Sequence, residues 1–193
     1  MSKVIFHVPH DGNDFPKELL DSIIIPYDEF LKQHNHISDK HVSNLIPEGY
    51  EVIKFPISRL LCDVERFLDD SEPMLKFGMG FCYEYVYDGT KIKNINQDIL
   101  DKTLKYYNKH HKLLNDAVAP NEDVFIIDLH SFERDLIIKE TLLSNTDRYP
   151  DFCIGYDKGF CSEETILKVV EIISNHGYSV SINYPFKGVR KEK

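Results

Sequence analysis

Asp128-Leu129-His130-Ser131 sets a carboxylate and an imidazole two positions apart, directly after the apolar run Val124-Phe125-Ile126-Ile127. A strand alternates its side chains, so Asp128 and His130 share a face where that run ends. Open α/β sheets place their ligands at the carboxyl ends of strands. A second apolar run, Val4-Ile5-Phe6, ends in His7-Val8-Pro9-His10-Asp11-Gly12. Two strand ends rich in His and Asp point to a divalent metal held between distant segments of the chain.

Pro9 and Gly12 mark a tight turn around His10. Its ring is either a ligand facing a cleft or a turn histidine bonded to backbone. His7 reads as a support of the sheet. Residues 38–45 contain Asp39, either a carboxylate ligand or part of a solvated helix face. His34, His36 and His41 make that region rich in histidine, at spacings that match no metal motif. Arg59 and Arg66 are fixed donors suited to bidentate recognition of a carboxylate, and Asp63 between them could orient one. The plain alternative is a local salt-bridge cluster. His111 falls on the apolar face of a helix with His110 beside it, which favours a core or supporting role. Asn183 and Lys187 follow a late strand, where they could reach a bound anion or simply form a turn.

Strands alternate with helices along the chain, the pattern of an α/β layer fold. The expected strands are 4–8, 51–55, 81–87, 124–129, 152–154 and 179–183. Within 81–87, Glu84 interrupts the aromatics, so that strand is expected at an edge. The expected helices are 17–23, 28–45, 97–117 and 162–175. The third has the clearest period, with Ile99, Leu100, Leu104, Tyr107, His111, Leu114 and Val118 on one side. Ser162 followed by two glutamates suits a helix start, and Gly177 suits its end. Residues 140–150 read as a polar loop. No linker divides the 193 residues, so a single domain is expected.

A net charge of -9 argues against a nucleic-acid partner, which requires a basic footprint. Cys62, Cys82, Cys153 and Cys161 form no CxxC pair, so a cysteine-rich zinc site is not expected. The absence of a signal-peptide pattern makes reduced thiols in the cytoplasm the expectation. No apolar run reaches the roughly 20 residues of a membrane span.

Taken in order, these pieces resemble the N-formylglutamate amidohydrolase family. The matching segments are VPHDG at 8–12, SDKHVSNL at 38–45 and SRLLCDVERF at 58–67. They continue as GMGFCYEY at 78–85, YYNKHHKLL at 106–114, DLHSF at 128–132, PDFCIG at 150–155 and NYPFKG at 183–188. The set spans nearly the whole chain. Three departures stand out. The family often has Asn where this chain has Glu65, and an aromatic-proline motif where it has Asn-Lys-His before His111. Family members also continue past the NYPFKG-like segment to a strand bearing a glutamate, whereas this sequence stops at Lys193.

The resemblance implies a three-layer α/β/α fold with a mixed central sheet, like that of zinc exopeptidases. It implies one zinc ion and hydrolysis of an amide on an N-acyl acidic amino acid such as N-formylglutamate, a small anionic substrate. Carried over by position, His10, Asp39 and His130 are the zinc ligands. Arg59 and Arg66 are the substrate-carboxylate clamp, and Arg59 also stabilises the oxyanion. Asp128 lies beside the metal as a support of His130 or as the proton carrier, with Glu84 the other stand-in for that role. His111, Asn183 and Lys187 line the substrate side. The competing expectation is a non-catalytic relative that binds a small carboxylate and lacks the late glutamate. His7, His41 and His111 are the substitutes for a third ligand should Asp39 lie elsewhere.

Overall fold

The computed structural model describes residues 3–118, 123–132 and 149–188. The chain divides into two compact units, Met1–Ser131 and Phe132–Lys193. The first unit is built on a three-stranded parallel sheet of order β2-β1-β3. Its strands are β1 (Lys3–Val8), β2 (Glu51–Lys54) and β3 (Val124–Asp128). The central strand, β1, pairs His7 with Ile53 on one side and with Asp128 on the other. Its residues Ile5, His7 and Val8 are buried, as a strand flanked on both edges requires.

Between β1 and β2 lie α1 (Lys17–Leu20) and α2 (Tyr27–Ile37). Phe30, Gln33, His34 and Ile37 form the buried stripe of α2 at helical spacing. The single long helix expected to reach residue 45 ends at Ser38 instead. Ser38 is extended and its Oγ donates to the His34 carbonyl at 2.6 Å. His41 then adopts a left-handed conformation (φ 65°) and a 3₁₀ turn covers Val42–Leu45. A serine that bonds back to the preceding turn, followed by positive φ, breaks the helical period that the sequence pattern suggests.

The long helix α3 (Gln97–Ala117) has the expected bounds. Asn96 caps it, its side chain accepting from the Ile99 N–H at 3.0 Å. Leu19, Phe30, Leu60, Leu61, Tyr83 and Ile92, all fully buried, form the centre of the core.

Residues 81–87 do not form the expected edge strand. Gly78 takes a positive φ of 71° and its carbonyl accepts from both Glu84 N and Tyr85 N, folding the segment back on itself. Only isolated antiparallel bridges remain there, Met79 with Tyr83 and Tyr85 with Lys91.

The second unit carries a parallel pair, β4 (Phe152–Ile154) and β5 (Val180–Ile182), joined through α4 (Glu163–Asn175). Ser162 caps α4 by accepting from the Thr165 N–H at 3.1 Å, and Gly177 (φ 87°) follows its end. The protein is therefore α/β with small parallel sheets, and a continuous mixed sheet is not seen among the described residues. The loop expected over 140–150 lies mostly outside them. All four cysteines are free thiols. No described helix is long and apolar enough to cross a membrane.

Candidate metal centre

Three segments of the first unit meet beyond the carboxyl ends of β1 and β3. The first is the turn after β1. Gly12 lets it run against β2's continuation, because a Cβ there would stand only 2.5 Å from the Ile57 carbonyl oxygen. This close approach fixes where His10 projects. The second is the Asp39 loop, tied to the same turn by the Asp39 N–H donating to the His10 carbonyl at 3.0 Å. Asp11 reinforces the tie, accepting from His41 N at 3.1 Å and Ser43 N at 3.2 Å. The third is the end of β3, held by the Leu129 N–H to the His7 carbonyl at 2.9 Å.

These ties bring His10, Asp39 and His130 together. Asp39 Oδ2 lies 3.0 Å from His130 Nδ1 and 3.5 Å from His10 Nδ1. Its other oxygen accepts from Ser131 N at 3.0 Å and Ser131 Oγ at 2.9 Å. The two imidazoles stand 5.2 Å apart between ring centroids. His10 Nδ1 is buried and has no hydrogen-bond partner among the described residues.

The opposite edges of the same rings face Glu65. Its two oxygens lie 3.2 Å from His130 Nε2 and 3.3 Å from His10 Nε2. His10 Nε2 is closer still to Asp63 Oδ1, at 2.9 Å. One ligand atom each from His10, Glu65 and His130 lies within 4.8 Å of the other two. The pair of histidines thus presents its Nδ1 side to Asp39 and its Nε2 side to Glu65 and Asp63.

Asp63 anchors the arginines. It is fully buried, and its Oδ2 accepts from Arg59 Nε at 3.2 Å, Arg59 Nη2 at 2.8 Å and the Tyr83 hydroxyl at 2.8 Å. Arg59 Nη1 reaches the Ile37 carbonyl at 3.4 Å, so each of its nitrogens faces an acceptor within the fold. Arg66 is more loosely held, 3.5 Å from Asp63 through Nε and 3.9 Å from Glu72.

The electrostatics follow from this packing. Burial raises the carboxyl pKa of Asp39, yet the close imidazoles of His10 and His130 outweigh it and hold the group below the carboxylate range. Glu65 is brought down to about 2, burial being outweighed by nearby His10 and the His130 hydrogen bond. Asp63 is also well below its ordinary value, with Arg59, His10 and Arg66 overcoming burial. His130 is pushed up to about 10, because its bonds to Asp39 and Glu65 outweigh the burial that disfavours its charge. The centre holds ionised carboxylates around imidazole nitrogens, a donor set suited to a divalent cation.

Asp128 occupies a neighbouring position. It pairs with His7 Nδ1 across the β1–β3 register, and does not bond to His130. His7 Nε2 faces His110 Nε2 at 2.8 Å. His110 is the buried histidine of α3, its pKa lowered to about 3 by burial and then by His7 and His111. His111 lies half-buried beside it, with Nε2 donating to the Val64 carbonyl at 2.8 Å. Glu84 pairs with Lys91 at 3.0 Å. Asn183 and Lys187 belong to the second unit. Asn183 has φ 55° and its Oδ1 accepts from Tyr156 N and Gly188 N, which makes it a turn organiser there, and Lys187 is exposed.

Sequence reasoning gave no role in the centre to Glu65 or Tyr83. The only signal for Glu65 was its replacement of an expected Asn. Tyr83 was concealed within an apparent strand.

The model of the N-formylglutamate amidohydrolase family matches residues 2–192. A crystal structure of an N-formylglutamate amidohydrolase from Ralstonia eutropha JMP134 superposes with a TM-score of 0.83 at 20% identity, covering 97% of this chain and 74% of that one. No curated protein matches significantly. The chain belongs to the N-formylglutamate amidohydrolase family.

Proposed function

We propose that this protein is a zinc-dependent amidohydrolase acting on an N-acylated acidic amino acid, of which N-formylglutamate is the first candidate. The observation that carries the reading is the orphaned Nδ1 of buried His10. It is directed at the Asp39 oxygen that already engages Nδ1 of His130. Two imidazoles and one carboxylate are a catalytic zinc set that keeps a position open for water or substrate. In this arrangement the remaining ring N–H groups have carboxylate partners, Asp63 for His10 and Glu65 for His130. Metal-bound histidines characteristically have such partners.

A cation on the Nε2 side, against Glu65, is favoured by the compactness of that trio. It would leave His10 Nδ1 with only the 3.5 Å approach to Asp39. We therefore assign Asp39 as the third ligand.

When bound, zinc supplies a Lewis acid and a water activated near neutral pH. The other functions fall to the chain's own side chains. Arg66, loosely held, receives the substrate carboxylate. Arg59, fixed by Asp63, keeps positive charge beside the centre and stabilises the oxyanion. Asp128, at the end of β3, holds the ring of His7 beside the centre. His111, on α3 of the first unit, lines the substrate side.

The test is release of the free amine from N-formylglutamate and related N-acyl amino acids, with and without a chelator. Turnover lost to the chelator and restored by zinc is the expected result. Zinc-loaded protein that hydrolyses none of these substrates would overturn the catalytic reading and leave a small-carboxylate-binding relative.

A further inference from the structure

The end of β1 carries two histidines, and the zinc reading uses only His10. His7 is buried and faces Asp128 across the β1–β3 register through Nδ1. One ligand atom each from His7, Glu65 and Asp128 lies within 4.8 Å of the other two. The three residues come from β1, the turn after β2 and the end of β3, so tertiary structure alone brings them together. His110 backs the group from α3, its Nε2 2.8 Å from His7 Nε2 and its ring stacked on that of His7 at 5.0 Å between centroids. His7 Nδ1 and Asp128 are bonded directly to each other, so a cation entering between these groups would displace the proton that links them.

We propose that His7, Glu65 and Asp128 form a second divalent-cation site beside the first, with His110 fixing the ring of His7. One imidazole and two carboxylates, without thiolate, suit a first-row divalent cation such as zinc or manganese. Glu65 links the two sites. It accepts from His130 of the first centre and offers an oxygen to the second. His110 acts here as a positioning residue, in the way outer carboxylates and carbonyls orient other ligating histidines. The inference rests on the zinc reading of the first centre, so its test distinguishes the two.

The experiment is equilibrium dialysis of the full chain against Zn²⁺ after chelator treatment, with bound metal counted by mass spectrometry. Wild-type protein is expected to hold two equivalents. Asp128→Asn and Asp39→Asn are each expected to hold one. A single wild-type equivalent, kept in Asp128→Asn and lost in Asp39→Asn, would overturn the second site and leave the first standing. Two equivalents persisting in Asp128→Asn would also overturn it. No bound zinc in the wild type would remove both readings. Circular dichroism checks that each variant is folded. If Asp128→Asn is not, His7→Gln replaces it, with the same loss of one equivalent expected.

Discussion

Asp39 Oδ2 stands 3.0 Å from Nδ1 of His130, a residue 91 positions later in the chain. The same oxygen is 3.5 Å from Nδ1 of His10, whose own buried nitrogen finds no other partner. This shared oxygen sets up a competition between proton and metal, because His130 must lose the proton that Asp39 and Glu65 stabilise before it can ligate.

The competition predicts a pH dependence in chelator-treated protein. His130 has a folded pKa raised to about 10. Its contribution to stability is therefore complete below its unfolded value of about 6.5 and is lost as pH rises through about 10. Glu65, lowered to about 2, contributes fully above its unfolded value of about 4.3 and loses that contribution as pH falls. The stability difference between wild type and His130→Gln, measured by urea unfolding, should be largest near pH 6 and shrink toward pH 10. A difference that grows with pH over that range would contradict the assignment.

Asp63 should be the costliest charge to remove. Asp63→Asn leaves the half-buried Arg59 and Arg66 with their shared, fully buried counter-ion gone. Breaking one side of a buried ionic cluster costs about 3–5 kcal/mol. Losing the partner of His10 Nε2 should also weaken metal binding by about 10–100-fold. Denaturant unfolding and zinc titration measure the two effects separately. A variant with wild-type stability would show that the arginines find other partners.

His34 provides a different titration. It is buried in α2, with Nδ1 2.9 Å from the Ser58 hydroxyl and Nε2 3.1 Å from Asn13 Oδ1. Burial first, and Lys40 second, lower its pKa to about 4. Here the sign reverses, so stability is complete above about 6.5 and lost as pH falls through about 4. An NMR titration of the ring should find it neutral, protonated at Nε2, down to about pH 5. An imidazolium signal at pH 6 would contradict this.

Gly12→Ala tests the turn that sets His10. The added methyl would meet the backbone of residues 55–57 at 2.5–2.6 Å. Backbone cannot yield as a flexible side chain does, so a loss of at least about 1–3 kcal/mol is expected, together with weaker zinc binding. Thermal unfolding near the wild-type midpoint would show that the turn does not depend on this close approach.

The parts of the fold legible in the sequence were those with a local period. β1, the bounds of α3 and the Ser162 cap follow from alternation, helical spacing and capping chemistry. His10 and His130 were legible because each ends an apolar strand run. The break at Ser38 was concealed because its cause is a side chain bonding back into the preceding turn. Residues 81–87 looked like a strand because their aromatics alternate, but of these aromatics only Tyr83 is buried, inserted beside Asp63. Glu65 and His110 gained meaning only from neighbours far away in sequence, which no local pattern encodes.

The proposed activity rests on zinc binding at the Nδ1 side of His10 and His130, with Asp39 completing the ligand set. Anomalous diffraction at the zinc edge from crystals of the zinc-loaded protein tests it most directly. A peak is expected roughly 2.0–2.2 Å from His10 Nδ1, His130 Nδ1 and an Asp39 oxygen. A peak on the Nε2 side against Glu65 with none beside Asp39, or no peak between the two histidines, would contradict it.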